Sequence, residues 1–389
     1  MVDKRKRPAG KTAGKATPKT AKRAPKAAAG DTGRLQEVRA EIDGIDRRIQ
    51  ELITQRAHWA AKVRKAKGEL KAAVEYYRPE RESQILRRVL DRNQGPLSDE
   101  VLLRLFREIM SACLAQQEPL KVGFLGPEGT FSQQALHKHF GHSAQALPLA
   151  SIEEVFQEIE SGNADFGVVP VENSGQGTIQ STLDMFLTSR LKICGEVELR
   201  VHQHLLSRTG RLEDIERVYS HPQSLAQCKA WLRANLPHAE KVPVSSNAEA
   251  ARRARVADDC AAIAGETAGQ VYGLKVVAGP IEDRQDNTTR FLVIGREFFS
   301  PSGHDRTSLL VFVRDQPGAL YNVLSPFARH GVSMNRIESR PAHSGRWQYV
   351  FFIDVSGHVE EGNVAQAMSE LGEYASDVVV LGSYPVALL

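Results

Sequence analysis

Residues 121–132 read KVGFLGPEGTFS and residues 288–295 read TTRFLVIG. The first places an apolar run (Val122, Phe124, Leu125) before a glycine-turned loop and a helix from Ser132, which is the strand–turn–helix step of a layered α/β domain. The second is a strand that two threonines open. Between them the texture recurs: ADFGVVPVEN at 164–173, a helix from Thr178, and RVY at 217–219 before another helical stretch. Short apolar runs alternating with helical segments predict one α/β domain over residues 119–299.

The polar residues of this domain gather at strand ends. Loop 126-GPEGTFS-132 aims backbone N–H groups at a helix N-terminus, where an anion is favoured. Its spacing matches neither Walker A nor GxGxxG, and it serves equally as a plain turn. The motifs 172-ENSGQGT-178, 220-SHPQSLAQC-228 and 287-NTTRF-291 adjoin other strand ends, and in open α/β sheets such ends converge on a crevice. His221 reads either as a proton source or as a residue fixing the turn before Pro222.

Upstream the pattern turns helical. Leu35, Val38, Ile42, Ile45, Ile49, Leu52 and Ile53 recur at spacings of three and four, and no proline intervenes before Pro79. A helix from Arg34 to about Leu70 would be roughly 55 Å long at 1.5 Å per residue, and it needs a partner along that length. Pro79 opens a second helix to Arg92, and NQGPLSD breaks the chain before a third from Ser98 to Gln117. Arg56 and Lys67 stand eleven positions apart, about 20° in azimuth, and share a face; Arg39 lies about 25 Å away along the axis. These charges read equally as a solvated surface. Downstream of SPSGHDR (300–306) come strand SLLVFV, helix GALYNVLSPFARH, strand VSMNRIESRP, strand WQYVFFIDV, helix VAQAMSELGEY and strand DVVVLGSYP, the βαββαβ order of a ferredoxin-like sandwich over 305–385.

Composition narrows the function classes. The net charge is +4, yet residues 1–30 hold ten Lys/Arg against one Asp, a local +9 that leaves 4 − 9 = −5 for the rest. A basic tail on a slightly acidic body argues against a nucleic-acid-binding fold. The tail lacks Leu, Ile and aromatic residues and is expected to be disordered. No apolar stretch is long enough to span a membrane and no signal-peptide core follows the first basic residues, so a cytoplasmic protein is expected. Cys113, Cys194, Cys228 and Cys260 form no CxxC pair and read as free thiols. The histidines show no metal-ligand spacing, and neither a metal nor a cofactor is expected.

Three resemblances attach to these motifs. Residues 31–118 resemble the all-α, three-helix chorismate mutase domain, which dimerises by interlocking long helices. That likeness implies that Arg39 reaches a neighbour's site, Arg56 and Arg81 hold substrate carboxylates, Lys67 and Gln117 donate to the ether oxygen, and Glu82 binds the ring hydroxyl. A pericyclic rearrangement needs only a held conformer and stabilised charge, which cations and amides supply. Residues 121–296 resemble prephenate dehydratase, a two-lobed α/β fold like that of solute-binding proteins. There Thr289 would assist departure of the ring hydroxyl, Asn173 and Arg290 bind carboxylate, and Glu172, Ser174, Ser220 and Gln227 complete the pocket. Residues 307–385 resemble an ACT domain, with Gly318, Ala319 and Leu320 of DQPGAL and Asn335, Glu338 and Ser339 around ESRP implied to bind phenylalanine. Together they resemble bifunctional enzymes that convert chorismate through prephenate to phenylpyruvate under phenylalanine control, as homodimers. The competing readings are an arogenate dehydratase and a metabolite sensor without chemistry.

Overall fold

The computed structural model describes residues 29–67, 77–116, 119–314, 316–341 and 348–388, with side chains throughout except at 29–33, 64–67 and 348. The segment expected to be disordered lies outside these residues up to position 28, and helix α1 (Ala29–Lys67) begins there. Two compact units divide the chain, Met1–Gln55 and Arg56–Leu389, with the boundary inside α1. In the first unit the apolar stripe from Leu35 to Ile53 is exposed.

In the second unit, helix α2 (Pro79–Arg92) has proline at its first turn with Glu80 and Glu82 beside it, where carboxylates favour the helix dipole. Helix α3 (Asp99–Ala115) is capped by Ser98, whose Oγ accepts the Val101 N–H. The α/β domain follows as two lobes. The first comprises β1 (Lys121–Leu125), α4 (Phe131–Phe140), β2 (Gln145–Leu149), α5 (Ile152–Glu160), β3 (Phe166–Asn173), β4 (Gly177–Thr178), α6 (Gln180–Phe186) and β5 (Lys192–Arg200). The second comprises β6 (His204–Ser207), β7 (Arg217–Ser220), α7 (Pro222–Gln227), α8 (Lys229–Asn235), β8 (Glu240–Pro243), α9 (Asn247–Ala254), β9 (Cys260–Ala264), α10 (Glu266–Tyr272) and β10 (Lys275–Ala278). Strand β11 (Thr288–Gly295) then returns to the first sheet, whose order is β2-β1-β3-β11-β5; the second is β10-β6-β9-β7-β8.

Every residue of β3 except Glu172 is buried, as expected of a strand covered on both faces. The two crossings between lobes are zipped together. Val201 N–H donates to Asn287 O at 2.8 Å, Ile281 N–H to Gln203 O at 2.9 Å, and Glu282 accepts from the Gln203 N–H at 2.9 Å.

The C-terminal sandwich contains β12 (Asp305–Arg314), α11 (Ala319–Arg329), β13 (Met334–Pro341), β14 (Gln348–Ser356), α12 (Gly362–Tyr374) and β15 (Asp377–Pro385), with sheet order β13-β14-β12-β15. Alternation divides its strands cleanly. Leu309, Val311, Phe351 and Ile353 face the two helices, while Leu310, Val350, Phe352 and Leu381 join the first lobe's core with Val171 and Leu292. The sandwich is therefore bonded to the first lobe through a shared apolar layer. At Gly382 a Cβ would collide with the Ile193 carbonyl of β5, so the close approach of β15 to β5 requires glycine.

Candidate active and regulatory sites

Thr289 and Asn173 are register partners on adjacent strands β11 and β3. Asn173 Nδ2 donates to Thr289 Oγ1 at 2.8 Å and to Asn287 Oδ1 at 2.9 Å, and its Oδ1 accepts the Gly175 N–H at 3.0 Å. The amide is thereby fixed by three atoms of two motifs. Thr289 is 8% exposed. Its oxygen accepts from Asn173, which leaves the hydroxyl proton available for donation. Ser174 straps the same two segments together: its N–H donates to Thr288 O and its Oγ accepts the Thr288 N–H.

Glu172 and Arg290, the neighbours of this pair, also face each other in register, but strand alternation sends them to the opposite side of the sheet. Glu172 lies 3.4 Å from Arg336 of β13. Arg290 places Nε 2.8 Å from Glu196, Nη1 2.7 Å from Asp354 and Nη2 3.0 Å from the Tyr384 hydroxyl. Burial works against its charge, but Tyr384, Asp354 and Glu196 outweigh that and hold its pKa well above the ordinary value. The structure thus does not bring Arg290 or Glu172 to Thr289. Arg290 ties the first lobe to the sandwich through ion pairs to Glu196 and Asp354.

In the second lobe Ser220 is fully buried and donates to Ile263 O at 2.8 Å. It belongs to a network in which Asn247 accepts the His221 N–H and donates to Ser224, Ser224 accepts from Gln203, and Gln203 reaches Gln227 Oε1 at 3.3 Å. Ser220 and Gln227 therefore share one network that runs to the interlobe crossing at Gln203. His221 caps α7, its Nδ1 accepting the Gln223 N–H, which is the turn-fixing reading. The glycine loop is also locally occupied: Thr130 caps α4, which starts one residue before the expected Ser132, and Gln133 Oε1 accepts the Gly129 N–H at 2.6 Å. Tyr272 of α10 donates its hydroxyl to Glu128 O at 3.1 Å, closing the first-lobe loop onto the second lobe.

Among the helices, Glu82 is a carboxyl with a perturbed pKa. Burial pushes its carboxyl up to about 7, against the opposing pull of Arg107 and then Arg56. Arg107 on α3 was not found from the sequence, where it stands in no motif. Its pKa is lowered, first by burial. Glu82, Arg107, Tyr77 and His139 border a cavity of about 50 Å³. The Tyr77 hydroxyl and His139 Nε2 share a hydrogen bond of 2.8 Å, and the pKa of His139 is lowered to about 3 by burial and by Arg107. Arg81 is exposed and Arg56 partly buried; Arg39, in the first unit, is exposed. The side chain of Lys67 and all of Gln117 lie outside the described residues.

In the sandwich, Gly318 has φ 80° and precedes α11, whose first turn carries Ala319 and Leu320. Along β13, Asn335, Ile337 and Ser339 are exposed while the alternating Arg336 and Glu338 are partly buried. Asn335 Oδ1 accepts from Ser356 at 3.0 Å, whereas Glu338 accepts from Thr178 of the first lobe at 2.9 Å. The six residues do not form one group: Glu338 leaves the strand on the other face from Asn335 and Ser339.

A two-lobed α/β domain with a hydroxyl poised at a strand end, preceded by charged helices and followed by a ligand-binding type of sandwich, defines a multidomain enzyme with an attached regulatory module. The sequence matches the family models for chorismate mutase type II over 38–118, prephenate dehydratase over 122–298 and the ACT domain over 307–373. It is 50% identical over 363 residues to the bifunctional chorismate mutase/prephenate dehydratase of Stutzerimonas stutzeri, covering 92% of this chain and 100% of that one. The same enzyme of Pseudomonas aeruginosa is 50% identical over 364 residues, with coverage of 92% and 100%. Among solved structures, the prephenate dehydratase from Arthrobacter aurescens in complex with L-Phe superposes with a TM-score of 0.63 at 35% identity, covering 68% of this chain and 90% of that one. The chain belongs to the bifunctional chorismate mutase/prephenate dehydratase family, and its enzymatic activities are those two. Among the described residues, no helix is long and apolar enough to cross a membrane.

Proposed function

We propose that the helical unit rearranges chorismate and that Thr289 is the proton donor to the departing ring hydroxyl when prephenate loses water and CO₂ to give phenylpyruvate. The observation that carries this reading is the Asn173–Thr289 hydrogen bond of 2.8 Å, which directs the threonine proton away from its only side-chain partner among the described residues. Aromatisation drives the reaction, so a placed donor and an aligned carboxylate suffice. On the helices, Arg56 and Arg81 would bind carboxylates, Lys67 and Gln117 the ether oxygen, and Glu82 the ring hydroxyl. A Glu82 pKa of about 7 lets it donate or accept there.

The exposed stripe of α1 supports a homodimer in which the helix packs on a second copy and Arg39 enters the neighbouring site. The ACT match and the L-Phe complex of the Arthrobacter relative support inhibition by phenylalanine bound near Gly318, Asn335 and Ser339. Four buried free cysteines fit a reducing cytoplasm. Steady-state turnover of prephenate by Thr289→Ala and Thr289→Ser tests the central role. The alanine variant should lose nearly all activity and the serine variant retain part. Equal activity in Thr289→Ala and wild type would remove Thr289 from the mechanism.

A further inference from the structure

The catalytic pair is held from behind by another domain. Asn173 and Thr289 occupy one face of the first sheet, and the residues beside them on the other face, Glu172 and Arg290, both end on side chains of the sandwich. The Arg290 tie is a deeply buried ion pair. The Glu172 tie is of another kind. Strand β13 lays Arg336, Glu338 and Arg340 along the β3–β4 hairpin, in which Glu172 pairs with Thr178 and Asn173 with Gly177. Arg336 Nη2 donates to Thr178 Oγ1 at 2.8 Å while Nε approaches Glu172 Oε2 to 3.4 Å, and Thr178 passes its own proton to Glu338 at 2.9 Å. Arg340 extends the seam to Gln180 O at 3.0 Å and Asp184 at 2.7 Å. Arg336 is 14% exposed along its side chain, so one guanidinium spans both strands of the hairpin in a partly dry setting.

We propose that Arg336 is a positioning residue for prephenate dehydration: from the C-terminal sandwich it fixes the β3–β4 hairpin whose opposite face presents Asn173 to Thr289. The proposal rests on Thr289 being the proton donor. Its physical basis is that a strand is stiff across its pleat, so a pull on residue 172 moves residue 173, and displacement of a catalytic group by about 1 Å costs on the order of a hundredfold in rate. Asn335, Ile337 and Ser339 leave the same strand from its exposed side. The strand that holds the hairpin is therefore also the strand offered to a regulatory ligand.

The test is steady-state kinetics of the full chain on prephenate and, separately, on chorismate. Arg336→Met should lower kcat for prephenate about tenfold to a hundredfold with KM changed less than about threefold, in line with lost alignment rather than lost binding. Arg336→Lys, which keeps a donor for Thr178, should recover part of that loss, and chorismate turnover should stay at the wild-type level in both. Wild-type kcat in Arg336→Met, a rise in KM alone, or an equal fall in both activities would overturn the proposal. Should Arg336→Met fail to fold, the near-isosteric Thr178→Val reads the same link: a lowered prephenate kcat supports it and an unchanged one overturns it. Thr289→Ala run alongside separates the two claims, since full activity there defeats the proton-donor reading itself, whereas inactivity there with wild-type Arg336→Met defeats only the positioning role.

Discussion

Arg290→Met removes the cation from a cluster in which Arg290 is 11% exposed, Asp354 9% and Glu196 0% along their side chains. Breaking a buried pair from one side costs about 3–5 kcal/mol, because the remaining charge loses its partner. Here the remaining carboxylates keep other partners. Glu196 still accepts from Arg306 and from the Ala387 N–H at 3.1 Å, and Asp354 from Ser308 at 2.5 Å. The cost should therefore fall at the lower end, about 3 kcal/mol. At about 2–4 °C per kcal/mol for a unit of this size, the midpoint should drop by about 6–12 °C. Thermal unfolding of the full chain followed by circular dichroism measures this, and prephenate kinetics at 20 °C on the folded variant measure the rest. KM should change little, since Arg290 lies across the sheet from Thr289. A midpoint within about 2 °C of wild type together with a KM raised tenfold or more would show that Arg290 binds substrate and that its ion pairs are incidental.

Three other outcomes follow from the same geometry. Glu82 has a folded pKa of about 7 against an ordinary 4.5, so the folded state binds its proton more tightly; stability should be greatest below pH 4.5 as far as this group is concerned and be lost as pH rises to 7. Glu82→Gln should flatten the melting temperature across that window, and an identical pH profile in both proteins would contradict the burial of this carboxyl. Lys67→Ala should raise the chorismate barrier by about 2.7–4 kcal/mol, the cost of losing one preorganised donor, with turnover of added prephenate intact; near-normal chorismate turnover would take Lys67 out of the site. Gly318→Val puts a branched residue at φ 80° and should blunt phenylalanine inhibition more than Ser339→Ala does, with activity in its absence retained; inhibition curves that coincide with wild type in Gly318→Val would move the ligand elsewhere.

Where the chain writes its structure locally, the sequence was legible. Pro79 and the break at NQGP bound α2 to Pro79–Arg92, and the spacing of apolar runs yields an α/β domain and the βαββαβ sandwich, whereas the division of that domain into two lobes followed only from the family resemblance. The long helix was legible as an amphipathic stripe, because its period is local, but not what covers it. Motifs mislead where they are linear and strands are not: ESRP and TRF each join neighbours that a pleat sends to opposite faces, so Glu338 parts from Ser339 and Arg290 from Thr289. Arg290's partners lie 94 and 64 residues away in the chain, a separation that no local pattern encodes. Arg107 escaped for a similar reason. Its significance comes only from burial next to Glu82 on another helix.

The most direct test of two separate sites on one chain is a progress curve from chorismate, with prephenate and phenylpyruvate quantified in wild type and Thr289→Ala. Phenylpyruvate should form from the wild type, whereas in the variant prephenate should accumulate at the wild-type rate of chorismate loss, with phenylpyruvate only at the rate of its spontaneous formation. Chorismate loss that slows in step with phenylpyruvate, or phenylpyruvate formed by the variant at the wild-type rate, would contradict this expectation.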